Sequence, residues 1–399
     1  MAEEDKIQIL FNVNNSPHVR HRDTTSGIMF RVCLALTPAF VWALLVFGYR
    51  SMIPVIASVV ACVVMESICV WWRGKPNTIR DGSAIVTGLL LAAVCPPNLP
   101  WWAAALGGVF AIGIAKQAFG GLGHNIWNPA LLARAFLQVS MPDRMMSGDW
   151  PHLGLGGGIA KNIAYSLSGT FAEIADSIRG SADVVTQATS ATVSQGGVDL
   201  MTGATALARM HTPDAQQIVD QAGNITYAVP EALQPSWGLV FNTWLGAEGG
   251  SLGEVSAIFI ILGGAYLIWR NIVKWDIPVL FIATVAILGL VLPHPYKTPD
   301  GYAYTQWFHG PWLVHVGGGG LMLGAFFMAT DMVTKPLTTT GRRIFAVGCG
   351  AITIMIRLFA GYPEGVCYAI LFMNTCVPFI DTMTKPKVFG KKKPRAAAK

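Results

Sequence analysis

The feature that most constrains this chain is a series of apolar runs, each close to the length of a helix that crosses a bilayer. A hydrocarbon core about 30 Å thick requires about 20 apolar residues in helical conformation. Runs that meet or approach this length are 28–48, 53–72, 82–97, 101–119, 125–142, 252–269, 277–293, 313–331, 344–360 and 364–380. Only 13% of the 399 residues are charged, against about 25% in soluble domains. The sequence therefore predicts an all-α integral membrane protein with about ten transmembrane helices.

Glycine and proline predict irregularities in three of these runs. The third run is flanked by Pro96-Pro97 and the ninth by Gly361-Tyr362-Pro363, so both are expected to be broken or tilted. Gly317 to Gly320 lie inside the eighth run and are not followed by the Gly-Lys-Ser/Thr of a phosphate-binding loop. We expect them to form a close-packing or unwound segment of a helix.

The basic residues predict the orientation, because cytoplasmic loops of membrane proteins are enriched in Lys and Arg. With the N-terminus in the cytoplasm, the inner loops contain Arg20, Arg22, Arg73, Lys75, Arg80, Arg270, Lys274, Lys335, Arg342 and Arg343, followed by a basic tail. The outer loops carry few, among them Arg50 and Lys297. Membrane orientation therefore accounts for the net charge of +6, which need not indicate binding to nucleic acid. It predicts a multi-pass protein of the cell inner membrane with both termini cytoplasmic.

One long, net acidic loop divides the chain. The predicted organisation is a cytoplasmic N-terminal segment (1–27), a first membrane half of five helices (28–142), an external loop (143–250), a second half of five helices (251–381) and a basic cytoplasmic tail (382–399). Phe119-Gly120-Gly121 is echoed by Phe359-Ala360-Gly361, and the motif 331–336 by 381–386. Repeats of five helices each are necessarily inverted, and such pairs often enclose a site near the midplane.

Ionisable residues inside the spans are functional candidates, because each costs about 2.5–3.5 kcal/mol to insert. The set comprises Arg31, Glu66, Lys116, Arg134, Asp331, Arg357 and Glu364. Structural explanations remain open for most of them. Arg31 and Lys116 have side chains long enough to reach the inner surface, Arg357 and Glu364 are close enough in sequence to pair, and Asp331 has Lys335 four residues on. Glu66 is the hardest to explain in this way.

Histidines offer little support for haem. His124, His294 and His315 lie at scattered helix ends, and the sequence has no Cys-x-x-Cys-His motif.

The external loop contains Asp199-Leu200-Met201-Thr202-Gly203-Ala204-Thr205. Two small residues precede the Thr205 hydroxyl, which would make it accessible to a transferase. On chemistry alone, however, a threonine in a Thr-rich exported loop is unremarkable.

Several long motifs, in order through both halves, resemble the NqrB/RnfD family, and most closely the D subunits of Rnf electron-transport complexes. They are Ser16-Pro17-His18-Val19-Arg20, Ile79-Arg80-Asp81-Gly82-Ser83-Ala84-Ile85-Val86-Thr87-Gly88, Phe119-Gly120-Gly121-Leu122-Gly123-His124-Asn125, Asn128-Pro129-Ala130, Gly324-Ala325-Phe326-Phe327-Met328-Ala329-Thr330-Asp331 and Gly361-Tyr362-Pro363-Glu364-Gly365-Val366.

The resemblance implies two flavins. Members carry FMN on a threonine through a phosphoester, within a motif that this chain matches at Asp199, Thr202, Gly203, Ala204 and Thr205. It thus implies attachment at Thr205 by a flavin transferase. It also implies a second, non-covalent flavin (riboflavin or FMN) among the helices, whose contacts it does not assign.

The resemblance further implies a subunit of an ion-translocating ferredoxin:NAD oxidoreductase, working with the other Rnf subunits and coupling electron transfer to Na⁺ or H⁺ movement. Glu66, Asp331 and Glu364 become hypotheses for an ion path; no catalytic side chain or metal site is indicated. The alternatives are the B subunit of a Na⁺-translocating NADH:quinone reductase, which the short N-terminal segment disfavours, and a solute transporter or channel without a redox cofactor.

Overall fold

The computed structural model describes residues 24–74, 79–146, 216–219, 225–228, 237–245, 250–254, 256–298, 301–360 and 364–385. These residues are mostly helical, and their four short strands form two antiparallel hairpins. Most of the predicted external loop, including the Thr205 motif, lies outside the described residues.

Five described α-helices precede the predicted external loop, and a sixth, short helix lies at its beginning. They are α1 (Thr25–Phe47), α2 (Met52–Trp72), α3 (Ser83–Ala93), α4 (Trp101–Phe110), α5 (Pro129–Ser140) and α6 (Pro142–Met146). Short 3-10 turns at Tyr49–Ser51 and Ile79–Asp81 precede α2 and α3, and α4 continues as a π-helical turn over Ala111–Gln117.

The remaining described elements begin with the hairpin β1 (Gln216–Val219) and β2 (Ile225–Ala228). After it come α7 (Trp237–Leu245), α8 (Ala257–Trp269), α9 (Asp276–Val291), the hairpin β3 (Pro295–Thr298) and β4 (Gly301–Tyr304), α10 (Trp312–Gly317), α11 (Leu321–Leu323), a π-helical turn (Gly324–Met328), α12 (Thr339–Phe359) and α13 (Val366–Met383).

By length and composition, three of the described helical segments are suited to crossing a membrane: Thr25–Phe47, Tyr49–Trp72 and Val366–Met383. Their outer faces are apolar. Phe30 on α1 is 71% exposed, and Trp71 and Trp72 at the end of α2 are 82% and 84% exposed. Exposed apolar surface of this extent marks contact with lipid or protein, and tryptophans are enriched where a helix meets the membrane–water interface.

Capping residues in the sequence set several helix ends. The Thr24 hydroxyl accepts a hydrogen bond from the Gly27 amide at 3.1 Å and begins α1. Asn128 caps α5 by accepting from the Ala130 amide at 3.1 Å, and Pro129 occupies the first helical position, where its missing N–H costs nothing.

The predicted irregularities are partly right. The third run forms only an 11-residue helix, α3, and the eighth is interrupted at its glycine run, because α10 ends at Gly317 and Gly319 has φ +65°. The prediction of a broken ninth span is wrong. Residues Thr339–Phe359 form one continuous helix of 21 residues, since the glycine and proline that suggested a break come after the helix has ended.

Small residues let the helices approach closely. A Cβ added at Gly88 on α3 would lie 2.7 Å from the Cα of Val59 on α2, and one at Gly108 on α4 would lie 2.9 Å from the Ser58 carbonyl oxygen. Such contacts are typical of membrane helices, whose association depends on close packing. In the first part of the chain α2 packs on α3 and α4; in the second, α9 packs on α10 and α12, and α1 packs against α8.

Candidate functional site

A cavity of about 100 Å³ lies between elements from both parts of the chain. It is bordered by the start of α1, by α3, by the segment leading into α5, by the end of α8 and by the residues around the second π-helical turn. Its walls include the apolar side chains of Leu90, Phe326 and Phe327, while Lys116 and Asp331 contribute charged groups. Four of the motifs quoted above, at 79–88, 119–125, 128–130 and 324–331, thus contribute residues to one cavity.

Lys116 makes a buried ion pair beside this cavity. Its Nζ donates to both carboxylate oxygens of Glu66 at 2.9 Å and to the Ser83 hydroxyl at 2.6 Å. The side chains of Lys116 and Glu66 are only 2% and 1% exposed. The interpretation that Lys116 reaches the inner surface is therefore wrong: the cation is neutralised by Glu66 inside the protein.

Local structure explains why these groups meet. The π-helical turn carries Lys116 and Gln117 together toward α2, and the Gln117 amide donates to Glu66 at 3.4 Å. Asp81 accepts from both the amide and the hydroxyl of Ser83, at 2.9 and 2.7 Å, and so holds that hydroxyl at the start of α3. Single π-turns are frequent at functional sites because they redirect side chains locally.

Asp331 borders the same cavity from the far side, just after the second π-helical turn. Its carboxylate accepts from the Thr334 hydroxyl at 3.3 Å. The expected partner, Lys335, lies near enough to attract the Asp331 charge, but its Nζ hydrogen bond goes to the Thr330 carbonyl oxygen at 2.9 Å. Asp331 is thus held by its own turn and partly faces the cavity.

Glu364 belongs to a different cluster. It forms an ion pair with Arg134 on α5, which joins two residues far apart in the sequence. Arg357, the partner considered from sequence proximity, donates to the carbonyl oxygens of His315 and Gly318 and lies close enough for its charge to act on Glu364. Glu364 therefore does not border the cavity between Lys116 and Asp331.

Sequence reasoning missed Glu254, a third member of this second cluster. Glu254 is 6% exposed, and its carboxyl accepts from the Ser251 hydroxyl at 2.7 Å and lies within hydrogen-bonding reach of Glu364. The signal available was a carboxylate at the start of the sixth apolar run.

It also missed a histidine pair. The expectation that His294 and His315 are scattered is wrong, because their Nε2 atoms lie 2.7 Å apart and the residues are 1% and 3% exposed. The Nε2 atom of each ring is thus engaged in a hydrogen bond with the other ring. This pair is therefore a hydrogen-bonded contact between the segment after α9 and α10.

Of the predicted site residues, the structure brings Asp331 to the same cavity as Lys116, with Glu66 bound behind Lys116, and places Glu364 apart. The attachment motif at Asp199, Thr202, Gly203, Ala204 and Thr205 lies outside the described residues. Among the described residues, no group of three or more His, Cys, Asp or Glu side chains is arranged to hold a metal ion.

Comparison with known proteins agrees with the motifs around the cavity. The sequence model of the NQR2, RnfD, RnfE family matches residues 12–390. The chain is 39% identical over 390 residues to the D subunit of the proton-translocating ferredoxin:NAD(+) oxidoreductase complex of Clostridium ljungdahlii, covering 98% of this chain and 99% of that protein.

Two further relatives are similar over nearly their whole length. The D subunit of the Na(+)-translocating ferredoxin:NAD(+) oxidoreductase complex of Acetobacterium woodii is 36% identical over 392 residues, covering 98% of this chain and 99% of that protein. The D subunit of the ion-translocating oxidoreductase complex of Stutzerimonas stutzeri is 38% identical over 389 residues, with 95% and 96% covered. With a family match that spans both sides of the cavity, this chain belongs to the NQR2, RnfD, RnfE family.

Proposed function

We propose that this chain is the D subunit of an ion-translocating ferredoxin:NAD oxidoreductase (Rnf) complex. The observation that carries the proposal is similarity along nearly the full length to relatives named as the D subunits of such complexes, in C. ljungdahlii and A. woodii. Its partners are then the other subunits of the complex. The B subunit of a quinone reductase and a transporter without a cofactor are both less favoured by these relatives.

The proposed architecture is ten membrane helices in two inverted halves, with the 143–250 loop outside and both termini in the cytoplasm of the cell inner membrane. Two observations support it. Helix packing in the two parts is similar, since α2 packs on α4 as α9 packs on α12, while α1 meets α8 and α5 meets α13. The basic residues also alternate between loops as orientation requires.

We further propose that FMN is joined to the Thr205 hydroxyl by a phosphoester, made by a flavin transferase that recognises Asp199, Thr202, Gly203 and Ala204. Support comes from the sequence motif and from the family to which the chain belongs. The chain's own contribution is positional: the loop holds the flavin, and the flavin supplies the electron-transfer chemistry.

A second, non-covalent flavin is proposed for the cavity beside Lys116. At about 100 Å³ the cavity is smaller than the roughly 300–1,000 Å³ of ligand pockets, so its walls would have to move apart to admit the ring. Leu90, Phe326 and Phe327 would then supply apolar walls, while Lys116 and Asp331 would place polar groups at the border. These side chains would bind and orient the ring and exclude water from it. When bound, the flavin would accept and pass on electrons.

The carboxylates Glu66, Asp331 and Glu364 are proposed to serve an ion path. Each is to be replaced by its amide, and ion uptake measured at unchanged flavin content. Reduced uptake in at least one variant supports the proposal, and unaltered uptake in all three contradicts it.

The first experiment is in-gel flavin fluorescence of the denatured chain, co-expressed with a flavin transferase. Wild type is compared with Thr205→Ala and with the matched control Thr192→Ala, which changes a threonine of the same loop outside the motif. Fluorescence lost only in Thr205→Ala is the expected result. Fluorescence retained in Thr205→Ala contradicts attachment there. No fluorescence in any variant, with a transferase active on a control substrate, favours a transporter or channel without a redox cofactor.

A further inference from the structure

Two buried carboxyl groups approach each other where the two parts of the chain meet. Glu254 lies in the turn before α8, which is anchored to the end of α3 by backbone hydrogen bonds: Leu252 N donates to Cys95 O at 3.1 Å, and Gly253 N to Ala93 O at 2.7 Å. Glu364 lies just before α13. The two carboxyl groups are within hydrogen-bonding reach.

The two carboxyl groups differ in how they are satisfied. Glu364 is paired with Arg134, a charge-assisted contact that favours its ionised form. Glu254 receives one hydrogen bond, from the Ser251 hydroxyl to Oε2. In the described part of the chain, its buried Oε1 has no hydrogen-bond partner. An unsatisfied buried acceptor is costly, and more so when it is charged.

The Glu254 carboxyl group lies close to the backbone of Gly320. A Cβ added at Gly320, in the interruption between α10 and α11, would collide with Oε1 of Glu254. The absence of a side chain at Gly320 therefore allows the Glu254 carboxyl group to fit against the backbone at this position.

We propose that Glu254 and Glu364 form a carboxyl pair that binds one exchangeable proton, carried by Glu254 and shared with Glu364. Two carboxylates in direct contact repel each other, and a single proton turns that repulsion into a hydrogen bond.

Charged and titratable groups on several surrounding elements act on this pair. Arg134 on α5 and Arg357 on α12 are the cations, and the thiols of Cys95 after α3 and Cys367 on α13 are the remaining titratable neighbours in the described part of the chain. Arg134 is committed to Glu364 by its ion pair. Glu254 is therefore the carboxyl group on which the proton resides.

A role of this proton in ion transport rests on the proposed function, whereas the existence of the proton site does not. It is tested by dicyclohexylcarbodiimide labelling of the purified complex, followed by peptide mass spectrometry, because the reagent modifies protonated carboxyl groups in apolar surroundings. Glu66 is the internal control, since its two oxygens are bound by the Lys116 ammonium. We expect labelling at Glu254 at neutral pH, loss of labelling at alkaline pH and none at Glu66.

A variant and a change of salt test whether the proton is shared and whether the site binds a proton or Na⁺. In Glu364→Gln the side-chain N–H of the new amide can donate a hydrogen bond to an ionised Glu254 carboxylate, so Glu254 no longer needs the shared proton. Labelling at Glu254 is therefore expected to be lost while the complex still assembles. Labelling that is unchanged in Glu364→Gln overturns the shared proton. Replacing KCl by NaCl is expected to change nothing, and specific protection of Glu254 by Na⁺ overturns the proposal in favour of a cation site.

Labelling does not depend on turnover, so it separates this inference from the proposed function. A wild-type complex with full flavin content and ferredoxin-dependent NAD reduction, but with no label at Glu254, contradicts the proton site alone. Label at Glu254 in a complex that lacks that activity supports the site and contradicts the proposed function.

Discussion

The buried pair of Lys116 and Glu66 allows the sharpest prediction about stability. Lys116 Nζ makes three short contacts, two to Glu66 at 2.9 Å and one to Ser83 at 2.6 Å, and both charged side chains are almost fully buried. Replacing Lys116 by Met keeps the apolar stem and removes the ammonium that binds both oxygens of the Glu66 carboxylate. Breaking one side of a buried ion pair costs about 3–5 kcal/mol. We expect Lys116→Met to lower the free energy of unfolding by this amount.

The double variant tests the cause. Glu66→Gln alone leaves the Lys116 ammonium buried without a counter-charge and is also expected to destabilise. Removing both charges is often neutral, so Lys116→Met with Glu66→Gln should be more stable than the sum of the single effects predicts. If the double variant is close to neutral, the interaction energy should be at least about 3 kcal/mol, which is at or above the upper end of the about 0.5–3 kcal/mol found for residues in contact.

The measurement is unfolding of the purified chain in mixed detergent and SDS micelles, followed by tryptophan fluorescence. Lys274→Met provides the control, because the Lys274 side chain is exposed, and its effect should stay within about 0.5 kcal/mol. Single variants at Lys116 and Glu66 that are as stable as the control, or that add without interaction, would refute the reasoning.

Two further predictions follow from close contacts in the core. Gly88→Ala should destabilise by about 1–3 kcal/mol in the same unfolding assay, because the new Cβ meets the backbone of Val59 at 2.7 Å. Gly289→Ala is the control and should be tolerated, since the nearest neighbour of its Cβ would lie at 3.4 Å; equal effects of the two changes would contradict this. His315→Leu should cost about 1–3 kcal/mol, because the buried Nε2 of His294 loses its hydrogen bond, and replacing both histidines by leucine should cost less than the sum of the single changes, so strict additivity would count against the pair.

The apolar runs predicted where most of the described helices lie, because a helix in apolar surroundings needs an apolar residue at nearly every position along its length. The run at 28–48 corresponds to α1, Thr25–Phe47, and the run at 277–293 to α9, Asp276–Val291. Glycine and proline were less certain guides. The glycine run at Gly317–Gly320 does interrupt a helix, whereas the glycine and proline after Phe359 simply follow the end of one.

Pairing of the charged residues was poorly predicted, and the reason is distance along the chain. Sequence reasoning paired neighbours, such as Asp331 with Lys335. The structure pairs residues that are 50 positions apart in Glu66 and Lys116 and 230 apart in Arg134 and Glu364. A buried charge takes the partner that folding brings to it, which local spacing does not reveal.

By itself the sequence determined the helical, membrane-type character of the chain and its family, and it supplied the motif around Thr205 on which the proposed flavin attachment rests, because these depend on composition and on contiguous residues. The tertiary structure decided which polar groups lie against each other in the interior: Lys116 with Glu66, and Arg134 with Glu364. Those contacts arise from helices and turns that are distant in sequence, and in an apolar interior each such group is stable only beside a partner that neutralises or hydrogen-bonds it.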